Sequence, residues 1–280
     1  MENNEISVGD ALKRYNKLKV NAGDEFANAM NRETDPDLMT SYDIVKLPSG
    51  GLFYENGLSE VSIEYMTSKD EDLLTTSALI ENGTVLELLL RRKVKTHNVN
   101  ANDLLQGDRN ALILFLRTSS YGPDYTVYVN DPRNGVPFKA TVNLSSLTYK
   151  ENLETPDPSG LFTVSLPMRK KDVKFRLLTY AEDNAIDKKA EAIKNEYKES
   201  FSNYNTMRLK ASIVSIGGNT DRGYVEKFVD AMPALDSYTV RKKILDVSPD
   251  VDLNYTFSTD DGYTFKNTLV LGMDFFFPST

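Results

Sequence analysis

Two short segments of this chain have the form of a metal-binding knuckle from which the metal ligands have been removed. The first is Asp131-Pro132-Arg133-Asn134-Gly135, after the strand-like residues 125–129; the second is Ser258-Thr259-Asp260-Asp261-Gly262, after residues 251–257. Each leads into a β-rich run, 138–144 and 263–271. Strand, four residues, glycine and strand is the pattern of a Cys-x-x-Cys-Gly zinc knuckle, where glycine permits the tight turn. Asp131 and Asn134, then Ser258 and Asp261, stand where the thiolates would be. The chain has no cysteine, so it cannot build that centre. Oxygen ligands at these four positions leave a hard cation such as Ca²⁺ or Mg²⁺ as one alternative. A metal-free turn pair, braced by Asn and Asp side chains bonding to the backbone, is the simpler reading.

The elements leading up to each turn recur in the same order. In the first part the ordered body is expected to begin at 43–48, with a turn at 49–51; residues 52–54 and 61–66 read as strands, the second of them alternating Val61, Ile63 and Tyr65 with polar neighbours. Thr67 and Ser68, followed by Asp70, Glu71 and Asp72, mark a helix start, with carboxylates suited to the positive end of the helix dipole. Helices are expected over 83–94 and 102–118, the latter capped by Asn102-Asp103. In the second part, 162–166 and 173–178 read as strands and Thr179-Tyr180-Ala181-Glu182-Asp183 repeats the helix start. A charged helix follows over 185–200, then a strand over 209–216, and helices over 224–232 and 236–247. Asp108 and Asp236 are 128 residues apart, Asp131 and Ser258 are 127 apart, and Leu47-Pro48 and Leu166-Pro167 are 119 apart. The expected fold is therefore α+β: internally duplicated strand-helix-hairpin halves whose rubredoxin-like, metal-free knuckles come together. The expected divisions are an extension or arm at 1–45, a first half at 46–155 ending in the knuckle 131–135, and a second half at 156–280 ending in the knuckle 258–262.

Composition narrows what such a body can do. A net charge of −8 and a pI near 4.9 disfavour contact with nucleic-acid phosphates or an anionic membrane surface. No apolar run approaches the roughly 18 residues that a membrane span requires. The start, Met1-Glu2-Asn3-Asn4-Glu5, lacks the basic and then apolar pattern of a signal peptide, and the lack of cysteine is compatible with a reducing cytosol. The only histidine, His97, sits in a polar stretch, and no nucleophile elbow or phosphate-binding glycine loop accompanies it. No catalytic residue, cofactor or resident metal is expected. The cluster Asp70, Glu71 and Asp72 reads as first-turn charges rather than as an acid–base pair.

Contact residues are easier to nominate. Arg109 and Arg117 project from one broad side of the helix expected over 102–118; they are either solvated, with Asp108 as an internal partner, or set against an acidic neighbour. Phe275, Phe276 and Phe277 cannot all point one way on a strand, so either both faces are covered or one ring is offered to a partner. Residues 8–20 can form a short amphipathic helix, and 21–41 are polar and acidic, so the start of the chain reads equally as a gripping arm or a plain tail.

Several segments, taken in order, resemble the baseplate protein family of T-even-type contractile-tailed bacteriophages. They are Leu47-Pro48-Ser49-Gly50-Gly51-Leu52-Phe53-Tyr54, Met66-Thr67-Ser68-Lys69-Asp70-Glu71-Asp72-Leu73-Leu74 and Asp103-Leu104-Leu105-Gln106-Gly107-Asp108-Arg109. Leu114-Phe115-Leu116-Arg117-Thr118-Ser119-Ser120-Tyr121-Gly122 and the closing Asp274-Phe275-Phe276-Phe277-Pro278 complete the set. The resemblance runs from about Lys46 to the C-terminus. It departs at the knuckles, which in the family often carry paired cysteines. It implies a structural, non-enzymatic component of the viral tail baseplate, in the hub or an adjoining wedge. The alternative it implies is a hub assembly chaperone absent from the mature virion. The implied partners are other baseplate and tail proteins, with homo-oligomerisation open and neither nucleic acid nor membrane insertion involved. The implied location is the virion, with host cytoplasm during assembly.

Overall fold

The computed structural model describes residues 40–151, 153–197, 202–271 and 273–276. The expected N-terminal arm lies outside them up to residue 39. From Tyr42 the chain is α+β, with eight α-helices and four small antiparallel sheets among the described residues. Strand β1 (Tyr42–Lys46) pairs with β2 (Glu60–Glu64), placing Val45 opposite Val61 on the buried side next to Ile63. The intervening 52–54 form a turn rather than the expected strand. Gly50 and Gly51 both adopt positive φ, 58° and 82°. A Cβ on Gly51 would stand 2.6 Å from the Gly57 carbonyl oxygen, so the loop closes on itself there.

Helix α1 (Ser68–Leu74) opens with the expected cap: Thr67 and Asp70 bond each other's backbone in a capping box. Helices α2 (Ser77–Glu81) and α3 (Val85–Lys93) follow, and Val94 then bridges to Ile63 on the far side of β2. The long helix does not start at Asn102. A 3₁₀ turn at Ala101–Asp103 is capped by Asn100 instead; the backbone extends at Leu104 and Leu105, and α4 runs from Gln106 to Tyr121. Strands β3 (Asp124–Asn130) and β4 (Pro137–Asn143) form the first hairpin. The second part has its own strands, helices and closing hairpin. Strands β5 (Phe162–Ser165) and β6 (Asp172–Phe175) precede α5 (Tyr180–Tyr197) and α6 (Tyr204–Ser212). Strand β7 (Ile213–Ile216) pairs with β6, and α7 (Arg222–Asp230), α8 (Ala234–Val247) and the hairpin β8 (Asn254–Ser258)–β9 (Thr264–Thr268) complete it. Residues 209–216, expected as one strand, divide at Ser212. Leu209 and Ser212 lie buried at helical spacing, and the Ile213 N–H still donates to the Leu209 carbonyl before the chain extends.

The core does not follow the chain's halves. Phe162, Leu166, Val173, Phe175 and the inner faces of α7 and α8 form one cluster that ends at Val247. From Val251 onward the chain leaves it, and Val251, Phe257, Leu269, Phe275 and Phe276 join the cluster built on β1, β2, α3 and α4. Close stitching joins the two. Lys150 N–H donates to the Asp250 carbonyl at 2.9 Å, Asp252 N–H to Thr148 at 2.7 Å and Tyr180 N–H to Leu104 at 2.8 Å. The backbones touch at Gly107, where a Cβ would lie 2.0 Å from the Pro249 carbonyl oxygen. Gly107 is therefore retained for its lack of a side chain, despite glycine's cost inside a helix.

Two fully buried carboxylates hold the framework. Asp108, in the first turn of α4, accepts from Ser49 N–H at 2.9 Å and from the Tyr54 hydroxyl at 2.5 Å. The same hydroxyl accepts from Leu105 N–H at 2.9 Å. Asp236, in the first turn of α8, accepts from Met168 N–H at 2.8 Å and Arg169 N–H at 3.0 Å. Each carboxylate thus satisfies the turn that follows a Leu-Pro pair. Burial pushes the Asp108 carboxyl up, against the hydrogen bonds from Tyr54 and Ser49. We expect Tyr54→Phe, which strands one Asp108 oxygen and the Leu105 N–H, to lower unfolding free energy by about 1–3 kcal/mol in urea titrations. Gly107→Ala should cost a similar amount, about 1–3 kcal/mol, through overpacking. A neutral Gly107→Ala result in the same titration would mean that α4 and Pro249 separate readily.

Candidate functional site

The two hairpin turns lie side by side, but they are built differently. In the first, Asp131 N–H donates to Val136 O at 2.9 Å, and Gly135 N–H, at φ 73°, donates to Asp131 O at 2.7 Å. The Asp131 side chain accepts from Arg133 N–H and the Asn134 side chain from Val136 N–H, at 2.8 and 2.9 Å. The second turn is closed by Thr259 N–H donating to Tyr263 O, with Gly262 N–H donating to Thr259 O, both at 2.9 Å. Its closing residue is Thr259, so Ser258 sits at the end of β8 outside the loop. The four expected knuckle positions therefore do not converge as one ligand set. Asn134 is spent on its own turn.

A cation does stand between the turns, and it is the guanidinium of Arg133. Its Nη2 meets the Asp131 carboxylate and its Nη1 the Asp261 carboxylate, both at 2.7 Å, with further bonds from Nε and Nη2 to the second oxygen of each at 3.1 Å. Nη2 also reaches Thr259 Oγ1, and the guanidinium lies 4.2 Å above the centre of the Tyr263 ring. Thr259 Oγ1 in turn donates to Asp261 through a short hydrogen bond. Below the turns, Phe138 meets Phe265 edge to face at 6.1 Å, so the inner faces of the hairpins pack as an aromatic layer. Arg133 stands between the ligand positions that knuckle spacing marks, so spacing alone gives it no role. An arginine two residues after Asp131 in one loop, with an Asp-Asp pair in the other, is the signal the sequence offers.

The electrostatics follow from this geometry. Hydrogen bonds from Arg133 hold the Asp131 and Asp261 carboxyls well below the usual carboxylate range, and the two carboxylates push the guanidinium up. Both acids have depressed folded-state pKa values. Their contribution to stability is therefore complete above the unfolded value near 3.9 and is lost as pH falls through the folded values. Arg133 and Asp261 are largely exposed, so salt screens the clasp.

The nominated contact residues are engaged within the chain. Arg109 is buried, with its guanidinium 3.5 Å above the Tyr180 ring and Nη1 donating to Asn102 Oδ1 at 2.7 Å; burial lowers its pKa to about 10. Arg117 is buried too. It donates to the carbonyls of Phe275, Gly122 and Asp124 at 2.8, 3.1 and 3.4 Å, which pins the closing 3₁₀ turn Met273–Phe276 to the end of α4. A cation at a helix C-terminus is also favoured by the dipole. Phe275 and Phe276 are covered, Phe275 meeting Tyr125 edge to face at 5.0 Å, and Phe277 lies outside the described residues. Phe275 and Phe276 are thus covered within the chain, and both arginines are buried rather than solvated. A helix-face count cannot tell a buried arginine from an exposed one, because the groups that cover it, Tyr180 for Arg109 and the Phe275 carbonyl for Arg117, come from distant segments.

Asp70 is buried against Lys93 at 2.5 Å, and His97 lies exposed in its loop. Among the described residues, no group of three or more His, Cys, Asp or Glu side chains is placed to share a metal ion. In Arg133→Met, carboxyl NMR titration should show the Asp261 pKa rising toward the ordinary aspartate value near 3.9. An unchanged Asp261 curve would mean that Thr259, not Arg133, sets its acidity.

Among the described residues, no helix is long and apolar enough to cross a membrane. No curated protein and no solved structure registers a match to the chain. Residues 39–277 match the family model described as T4 bacteriophage base plate protein. That span takes in both hairpins, the carboxylate braces and the arginine clasp, and the chain belongs to this T4-type baseplate family.

Proposed function

We propose that the chain is a structural subunit of the baseplate hub or an adjoining wedge, retained in the mature tail and working through protein–protein contacts without catalysis. The observation that supports this most is where its buried polar groups go. Asp70, Asp108, Asp236, Arg109 and Arg117 all bond within the chain, to turns, caps and carbonyls. Such groups rigidify a body, and a rigid body is what transmits geometry between neighbours. The partners are other baseplate and tail proteins, met in the virion after assembly in the host cytoplasm.

The two parts are further read as products of an ancient duplication. Each runs hairpin, helices, a return to the second strand, then a helix with a buried first-turn Asp and a closing hairpin. Both helix starts use a Thr with an acid three residues on, Asp70 or Glu182, that bonds back to the Thr backbone. On this reading the Arg133 clasp occupies the place where a shared metal would stand in a cysteine-bearing relative.

Quantitative mass spectrometry of purified mature tails tests the assignment. A fixed stoichiometric signal is expected. Presence in assembly intermediates together with absence from finished tails would instead identify a hub assembly chaperone.

A further inference from the structure

Helix α8 is apolar on two opposite faces. Val240, Ile244 and Val247 point into the core, packed against α6 and β5. Tyr238 and Leu245, seven residues apart, lie on the opposite side at 54% and 71% exposure, with Leu235 beside them at 51%. A surface helix ordinarily carries one apolar stripe, and a second one implies a second cover. Other described helices expose at most one large apolar side chain, Ile80 on α2. The stripe is flanked by cations: on helical spacing, Arg241 falls on one side of the Tyr238–Leu245 line and Lys242 on the other. Lys242 pairs with Asp246, whereas Arg241 makes no ion pair among the described residues. Beside Arg241 opens a pocket of about 160 Å³ with Leu177, Tyr180, Arg208 and Leu245 in its walls.

The charge of the region matches. Residues 156–250 hold 16 Lys and Arg against 14 Asp and Glu, while the rest of the chain holds 17 against 27. We propose that the outer face of α8 is a docking site for an amphipathic helix of another protein. That helix would lay an apolar stripe on Tyr238 and Leu245 and set carboxylates against Arg241 and Lys242. A symmetric contact with a second copy would place these cations against themselves, which charge repulsion opposes. The site lies apart from the Arg133 clasp and does not depend on whether the subunit stands in hub or wedge.

The test uses the purified full chain and a stapled synthetic helix with leucine on one face and glutamate on both flanks, beside a lysine-flanked counterpart. Fluorescence anisotropy should show saturable binding of the glutamate helix that weakens as salt rises, and far weaker binding of the lysine helix. Leu245→Asp and Arg241→Glu should each reduce affinity by about tenfold or more, which corresponds to about 1.4 kcal/mol. Both side chains are exposed, so circular dichroism and urea titration should match the parent chain. The proposal is overturned if the glutamate helix does not bind, if the lysine helix binds equally, or if either substitution leaves affinity unchanged. It is equally overturned if sedimentation reveals a dimer that Leu245→Asp dissolves, since the face then belongs to a second copy.

Discussion

A carboxylate sealed from water has to be hydrogen-bonded, and that requirement fixes the frame on which the rest of this protein is hung. Asp108 accepts from Ser49 N–H and the Tyr54 hydroxyl, and Tyr54 is held in turn by Leu105 N–H, so the loop after β1 is registered against the start of α4. Once α4 is set, its far end places Arg117, and Arg117 gathers the carbonyls of Gly122, Asp124 and Phe275. The first hairpin and the closing turn are thereby positioned from one helix. Asp236 acts likewise on the turn after β5 and fixes α8. Breaking such a brace leaves an unpaired charge in the interior, a larger penalty than the net gain from making it.

The hairpin pair shows how much depends on solvent. Aromatic contact between Phe138 and Phe265 is insensitive to pH, whereas the Arg133 clasp above it is exposed and screened. The aromatic layer therefore carries the packing. The clasp selects which turn faces which, since a guanidinium shared between two carboxylates has few alternative geometries. Both the hairpins and the clasp lie within the span that matches the T4-type baseplate family.

Much of the fold was legible along the chain. The strand alternation at 61–65, the Thr-led helix starts at Thr67 and Thr179 and both hairpins follow from local chemistry, and the structure has them within a few residues. The misplacements have local causes as well. Paired positive-φ glycines turned 52–54 into a loop, Asn100 took the capping role from Asn102, and Ser212 divides a helix from a strand that look continuous in hydropathy. The candidate site was less legible. The two turns were readable from spacing, yet the residue that joins them, Arg133, and the fate of Arg109 and Arg117 depend on partners more than a hundred residues away or on another element.

The sequence by itself determined the α+β class, the capped helix starts, the two hairpins and the exclusion of any thiolate centre, because periodicity, capping chemistry and the lack of cysteine are local or compositional facts. The tertiary structure decided that residues after Val251 leave the second core for the first, that two arginines expected at the surface are buried, and that an arginine holds the paired turns together. It also decided which apolar stripe of α8 faces inward. Burial and long-range pairing are properties of what surrounds a residue, and the surroundings exist only once the chain has closed on itself.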